Sequence, residues 1–103
     1  MNQILPDQLP TDEALSARIK NVLLEMYEGT GFAPKLAPEL EDGLIGIAHT
    51  GSRPVAAYSM EKCLSILMAR HNCDVCGAQS RLDNIIHAFF GESVPVFIEE
   101  LII

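Results

Sequence analysis

The fold is decided by residues 44–68, which read LIGIAHTGSRPVAAYSMEKCLSILM. Two short apolar runs, Leu44 to Ala48 and Pro54 to Tyr58, flank a polar turn that contains Gly51, and this pattern predicts a β-hairpin. Ser59 follows at once and is placed to cap a helix. In that helix, residues recur at the spacing of one helical face, namely Met60, Cys63, Leu64, Leu67, Met68 and His71. The stretch therefore predicts a hairpin followed by an amphipathic helix.

On the N-terminal side, residues 1–10 show no periodicity, which predicts a loosely ordered lead-in. Thr11 is placed to cap a first helix, and Gly29 and Gly31 are placed to end it. The predicted inward stripe of this helix consists of Leu15, Ile19, Val22, Leu23 and Met26. The segment Phe32–Gly43 holds two prolines and an acidic run, so we expect it to cross the surface as a loop.

On the C-terminal side, the second helix ends at Asn72 or the residue after it, and Asp74 is placed to cap a third helix. The predicted inward residues of the third helix are Val75, Ala78, Leu82, Ile85, Ile86 and Phe89. Gly91 closes this helix. The segment Val94–Leu101 predicts the last strand, which begins at Pro95 because proline is tolerated at the start of a strand.

The order helix, hairpin, helix, helix, strand predicts an α+β fold in which residues 1–103 form a single domain. We expect one three-stranded sheet with the helices packed on one face. The first strand is the most apolar, which favours the order 2-1-3 with the third strand parallel to the first. An antiparallel meander in the order 1-2-3 is the alternative. The predicted core consists of Leu15, Ile19, Val22, Leu23, Ile45, Ile47, Val55, Leu64, Leu67, Leu82, Ile85, Phe89, Val96 and Ile98.

Length and charge exclude several classes of protein. The chain has 103 residues and a net charge of −7, and such a length excludes a dinucleotide-binding domain, a TIM barrel and a kinase. The acidic balance disfavours nucleic acid and anionic membranes as partners, because both attract Lys and Arg. No apolar run has the character of a signal peptide or a membrane span, and three cysteines suit a reducing compartment. A cytoplasmic protein is therefore expected.

Residues 43–68 and 88–99 share a pattern with a known group. The pattern is a hairpin that ends in tyrosine, a capped helix with an acidic-Lys pair, and a helix that runs into Gly-Glu-x-x-Pro and a strand. The residues that carry it are Tyr58, Glu61, Lys62, Asn84, Gly91, Glu92 and Pro95. In these residues the chain resembles a group of small uncharacterised proteins from phage and bacterial genomes. The resemblance implies the element order given above and no catalytic residue, and Cys73 and Cys76 depart from the group's pattern.

Cys73 and Cys76 form a CxxC motif at the predicted start of the third helix. Backbone N–H groups at a helix N-terminus can stabilise a thiolate, so one hypothesis is redox chemistry by this pair. Another is a metal site with His71, Cys73 and Cys76 as ligands, completed by Asp74 or a second subunit. Cys63 precedes His71 by about 12 Å along the helix axis and is assigned to the core. The alternative to both hypotheses is that the two cysteines are small apolar fillers.

A hydrolytic site is a weaker candidate. Asp42, His49 and Ser52 contain suitable groups, but no nucleophile motif accompanies them and a polar turn accounts for all three. We therefore assign no catalytic residue and expect no cofactor.

The leading hypothesis is a non-enzymatic protein–protein interaction module of phage or mobile-element origin, with an unknown protein partner. A thiol protein that acts through Cys73 and Cys76 is the alternative. The C-terminus holds more apolar residues than one strand face can bury, namely Val96, Phe97, Ile98, Leu101, Ile102 and Ile103. We therefore expect a homodimer in which these segments pack on each other or on the partner's first helix. Folding of Leu101–Ile103 under their own first helix is the alternative.

Overall fold

In a computed structural model, the chain is described over residues 12–51 and 53–100. The elements in chain order are α1 (Asp12–Met26), a 3-10 helix (Pro38–Gly43), β1 (Leu44–Thr50), β2 (Arg53–Ser59), α2 (Met60–His71), α3 (Val75–His87) and β3 (Val96–Ile98). The predicted α+β class and element order are confirmed. The packing of all helices on one face stays a prediction, and the lead-in of residues 1–10 with its cap Thr11 lies outside the described residues.

Helix α2 is bounded where the sequence predicts, and α3 begins where the sequence predicts. The predicted end of α3 at Gly91 is wrong, because the helix ends at His87 with Ala88 as its C-cap. Ser59 caps α2, because its hydroxyl oxygen accepts the N–H of Lys62 at 3.2 Å. Asn72 ends α2 in the left-handed conformation, with a φ of 49° that asparagine tolerates better than most residues. Asp74 caps α3, because its Oδ1 accepts the N–H of Gly77 at 2.9 Å. Local side-chain chemistry therefore fixes the connection between the two helices.

The strand order is β1-β2-β3, so the predicted order 2-1-3 is wrong. β1 pairs with β2 antiparallel, as the hairpin requires, but β3 pairs with β2 in parallel, which also contradicts the antiparallel meander. Helices α2 and α3 together form the crossover that a parallel pair needs. The residues of β2 from Val55 to Ser59 are at most 3% exposed, whereas β1 is half-buried over most of its length. The small side chains of Ala56 and Ala57 allow cover on both faces, and this places β2 in the centre.

Helix α1 turns a different face to the core from the one its apolar stripe predicts. Of that stripe, Leu23 is fully buried and Ile19 is half-buried. In contrast, Leu15, Val22 and Met26 are 39, 48 and 42% exposed. The placement of Leu15 and Val22 in the core is therefore wrong.

Two hydrogen bonds account for the rotation of α1. Ser16 is buried and donates its hydroxyl to the carbonyl of Leu44 at 3.2 Å. Tyr27, just after the helix, is also buried and donates its hydroxyl to the carbonyl of Pro54. Ser16 and Tyr27 are eleven positions apart, about three helical turns, so their side chains share one face. These bonds turn that face toward the hairpin at both ends of α1.

The segment before β1 packs into the core, whereas a surface loop was predicted over Phe32–Gly43. Within the 3-10 helix Leu40 is fully buried, and Ala37 just before it is 3% exposed. The N–H of Ala37 donates to the hydroxyl of Tyr58 at 2.9 Å inside the core. The buried side chain of Leu40 and the hydrogen bond between Ala37 and Tyr58 therefore fix this segment in the core, although its prolines and acidic residues are typical of a surface loop.

The remaining core agrees in part with the sequence. β3 covers Val96–Ile98 in place of the predicted Val94–Leu101, and its pairing with β2 confirms one sheet. The predicted core residues that are fully buried are Leu23, Val55, Leu67 and Leu82. Those that are half-buried are Ile19, Ile45, Ile47, Leu64, Ile85, Phe89 and Val96. Ile98 and the predicted inward residue Val75 are 40 and 53% exposed, so their inward placement is wrong. The pattern missed Tyr27, Ala37, Leu40, Leu44 and Tyr58, which are buried.

Replacement of Tyr58 by phenylalanine removes the acceptor of the buried Ala37 N–H. We expect Tyr58→Phe to lower the free energy of unfolding by about 1–3 kcal/mol, the usual cost of a buried donor without a partner. Urea unfolding measures this, and an unchanged dependence on urea concentration is the control for a preserved fold. A loss below about 0.3 kcal/mol would contradict a structural role for this hydrogen bond.

Two nearby glycines give a matched test of core packing. A Cβ added at Gly43 would lie 3.0 Å from Sγ of Cys63, whereas one added at Gly46 would meet no atom within 4 Å. We expect Gly43→Ala to lower the free energy of unfolding by about 1–3 kcal/mol through overpacking. Gly46→Ala should change it by less than about 0.5 kcal/mol. Urea unfolding compares the two variants, and equal stability would show that Gly43 does not pack on Cys63.

Candidate interaction surface

The candidate metal ligands do not converge. His71 at the end of α2 is exposed, Cys76 in the first turn of α3 is exposed, and Cys73 between the helices is half-buried. The thiol of Cys73 is directed to the carbonyl of Leu67, with 3.7 Å between sulfur and oxygen. Over residues 12–51 and 53–100, no three His, Cys, Asp or Glu side chains are grouped so that they could hold a metal ion.

The residues next to Cys73 and Cys76 stabilise the N-terminus of α3. Asp74, between the cysteines, uses its carboxylate to accept the N–H of Gly77, one of the donors that a thiolate at this helix end would need. A Cβ at Gly77 would lie 3.1 Å from Cβ of Cys73, so glycine lets Cys73 sit close to the helix. The motif therefore has a structural role in the junction between α2 and α3.

Cys63 belongs to the core, as the sequence predicts. It is fully buried, and burial raises the pKa of its thiol to about 12. At neutral pH this thiol is protonated and inaccessible, and both properties make a cysteine unreactive.

Asp42 and His49, two of the three residues considered for a hydrolytic site, are not brought together by the fold. Asp42 lies in the 3-10 helix before β1, and His49 lies near the other end of that strand. The strand from residue 44 to residue 49 alone separates them by about 17 Å at ~3.3 Å per residue. Both side chains are exposed, and Ser52 lies outside the described residues.

A cluster forms around Arg53 that no pattern in the sequence predicts. The guanidinium carbon of Arg53 lies 3.6 Å from the centre of the Phe32 ring, and its Nη1 lies 2.7 Å from a carboxylate oxygen of Glu92. Arg53 also lines two clefts of about 330 and 230 Å³. The ion pair between Arg53 and Glu92 joins the hairpin to the segment before β3, and Glu92 balances the charge of Arg53. Glu92 is 39 positions away in the chain, and no local pattern signals such a pair.

The Gly-Glu-x-x-Pro segment that contributes to the resemblance has structural roles. Gly91 adopts a φ of 85°, which favours glycine, Glu92 pairs with Arg53, and Pro95 is buried directly before β3. These residues therefore shape the approach of the chain to the sheet.

One flank of α1, beside its buried face, carries a continuous apolar line. We name Leu15, Ile19, Val22 and Met26 the outward stripe. Its members are spaced four, three and four residues apart, which aligns them over about 16 Å at ~1.5 Å per residue. The hydrogen bonds of Ser16 and Tyr27 hold the neighbouring face of the helix on the hairpin, so the stripe lies along the flank of α1. Ile19 packs partly against the core, and the other three members of the stripe are exposed. The sequence identified this stripe as apolar but assigned it to the chain's own core.

Two charged residues flank the outward stripe. Arg18 and Glu25 lie on its side away from the hairpin, because Ser16 and Leu23 occupy the side toward it. Both charged side chains are exposed, and in the part of the chain that the structure describes neither forms an ion pair. The surface thus consists of an apolar line with one positive and one negative charge beside it.

No protein-family model, curated protein or solved structure matches this chain. Among the described residues, no helix combines the length and the apolar character that crossing a bilayer requires.

The three cysteines should differ in reactivity toward iodoacetamide at pH 8. Cys76 is exposed and should react fastest, Cys73 is half-buried and should react more slowly, and Cys63 should not react in the folded protein. With a pKa of about 12, only about one Cys63 thiol in 10⁴ is ionised at that pH. Peptide mass spectrometry measures the three rates. In urea all three should react, and labelling of Cys63 as fast as Cys76 without urea would contradict its burial.

Proposed function

We propose that this chain is a protein–protein interaction module without catalysis of its own, and that it docks through the outward stripe onto the apolar face of a helix. The observation that carries the proposal is the exposure of Leu15, Val22 and Met26 on one line of α1. Single apolar side chains at the surface are ordinary, but an aligned series is typical of an interaction site.

Rotation of α1 cannot bury the stripe without losing core contacts. Rotation of α1 toward the sheet would break the hydrogen bonds that Ser16 and Tyr27 make to the hairpin. It would also expose Leu23, which is fully buried now. A second polypeptide can cover the stripe without these losses, and each CH₂ group it removes from water contributes ~0.8 kcal/mol.

A helix is the element that fits this surface. Spacings of four and three residues are those of the two apolar positions in a heptad, whose side chains insert between the side chains of a facing helix. The stripe runs over three turns and presents four such positions. We therefore propose an amphipathic helix with an apolar seam as the partner element.

The resemblance to phage and bacterial proteins does not extend to the helix that we propose for docking. The stretches that carry it, residues 43–68 and 88–99, do not include α1. Part of our proposal is thus that the chain has a phage or mobile-element origin, with a fold shared across the group and a docking helix particular to this member.

Two methionines provide the test. Met26 in the stripe and Met68 on α2 are 42 and 36% exposed, so hydrogen peroxide should oxidise both at similar rates in a dilute solution of the chain. In intact cells that produce the chain naturally, we expect oxidation of Met26 to be slower than that of Met68 by about threefold or more, because the docked helix covers Met26. Peptide mass spectrometry measures both sulfoxides.

Two variants with the same charge change serve as controls. Val22→Glu places a carboxylate in the stripe and should abolish the protection of Met26 in cells. Ala17→Glu places it on the opposite, exposed side of α1 and should preserve the protection. Equal oxidation of Met26 and Met68 in cells would overturn the proposal.

A further inference from the structure

We infer that the helix docked on the outward stripe is α1 of a second copy of this chain, packed antiparallel about a two-fold axis. The inference rests on the proposed function of the stripe and names its partner. In heptad notation Leu15 and Val22 are d positions, and Ile19 and Met26 are a positions. An apolar line of a and d positions on one helix packs against a line of a and d positions on another helix.

In the antiparallel arrangement the outward stripe is complementary to itself. A two-fold axis midway between Ile19 and Val22 places Leu15 opposite Met26 of the second copy. The same axis places Ile19 opposite Val22 of the second copy. Every layer then joins two apolar side chains, and the most exposed members of the stripe are all covered.

The flanking charges select the antiparallel direction. Arg18 and Glu25 are the g positions of this register, and in an antiparallel pair the g positions of the two helices face each other. Arg18 of each copy then lies beside Glu25 of the other, which gives two ion pairs related by symmetry. Charge complementarity of this kind fixes register and disfavours other partners.

A parallel pair would leave the same charges unmatched. There each g position faces an e position, and the e positions of α1 are Ser16 and Leu23, both buried against the chain's own core. Arg18 and Glu25 are seven residues apart, so they are also too distant to pair with each other on one helix. The second copy in the antiparallel direction supplies both missing partners.

The outward stripe contributes only four residues from each chain, so we expect a weak dimer. A standard interface buries about 800 Å² per partner, more than four seam residues provide. We therefore expect a dimer that dissociates in the ~10–100 µM range.

The test is sedimentation equilibrium of the purified full chain. At concentrations between ~5 and ~500 µM, the average mass should rise from that of the 11.3 kDa chain toward twice that value. Val22→Glu should weaken the association by about tenfold or more, and Ala17→Glu should leave it within about twofold. Circular dichroism of both variants controls for the fold.

Charge reversal tests the direction of pairing. Arg18→Glu and Glu25→Arg should each weaken the dimer by about threefold or more, because each places like charges opposite one another. The double variant recreates both ion pairs with reversed signs and should return to within about twofold of the wild-type affinity. A double variant as weak as the two single variants would overturn the antiparallel register.

Two further outcomes separate this inference from the proposed function. A chain that stays monomeric up to ~500 µM would overturn the second copy as partner. Protection of Met26 in cells would then still support docking of the stripe, on a helix of another protein. A dimer that Val22→Glu leaves intact and that deletion of Leu101–Ile103 dissolves would assign the contact to the C-terminal segment and likewise overturn the inference.

Discussion

The hydrogen bond from the N–H of Ala37 to the hydroxyl of Tyr58 is the contact on which the arrangement around β2 depends. Tyr58 is 1% exposed, and its ring stacks on Phe97 of β3 with 5.3 Å between ring centres. Burial raises the pKa of Tyr58, so the hydroxyl keeps its proton at neutral pH and remains a neutral acceptor in the core. One side chain of the central strand therefore holds both the third strand and the segment that leads into the 3-10 helix.

The parts of the fold that the sequence predicts are those decided locally. Ser59 and Asp74 cap the helices that follow them, because a side-chain oxygen reaches an N–H three residues ahead. The strand order depends instead on which strand can be covered on both faces. The small residues of β2 make it less apolar in sequence than β1, so the sequence does not identify β2 as the central strand. The burial of Leu40 reflects packing of the 3-10 helix on α1 and α2, which lie on either side of it in the chain, and no short window of sequence contains all three elements.

The sequence predicts which residues form the stripe on α1, but it does not predict that most of them are exposed. Apolar periodicity identifies Leu15, Val22 and Met26 as one stripe, and periodicity alone does not distinguish a face that covers the chain's own core from one that is exposed. The face that turns inward is marked by Ser16 and Tyr27, whose hydroxyls contribute to packing through distant carbonyls. The Arg53 cluster was missed for a related reason, since its members come from three separate segments of the chain.

The parallel pairing of β3 with β2 has a consequence for the order in which the chain folds. The hairpin closes between Thr50 and Arg53, three positions apart, whereas Ala57 and Val96 are 39 positions apart. Loop-closure entropy makes the second contact about 2 kcal/mol more costly to form than the first. The central strand therefore gains its second neighbour late, after the hairpin and the two crossover helices exist. During synthesis on the ribosome, one edge of β2 stays open until residues 96–98 have emerged, so the hairpin can form before this three-residue pairing.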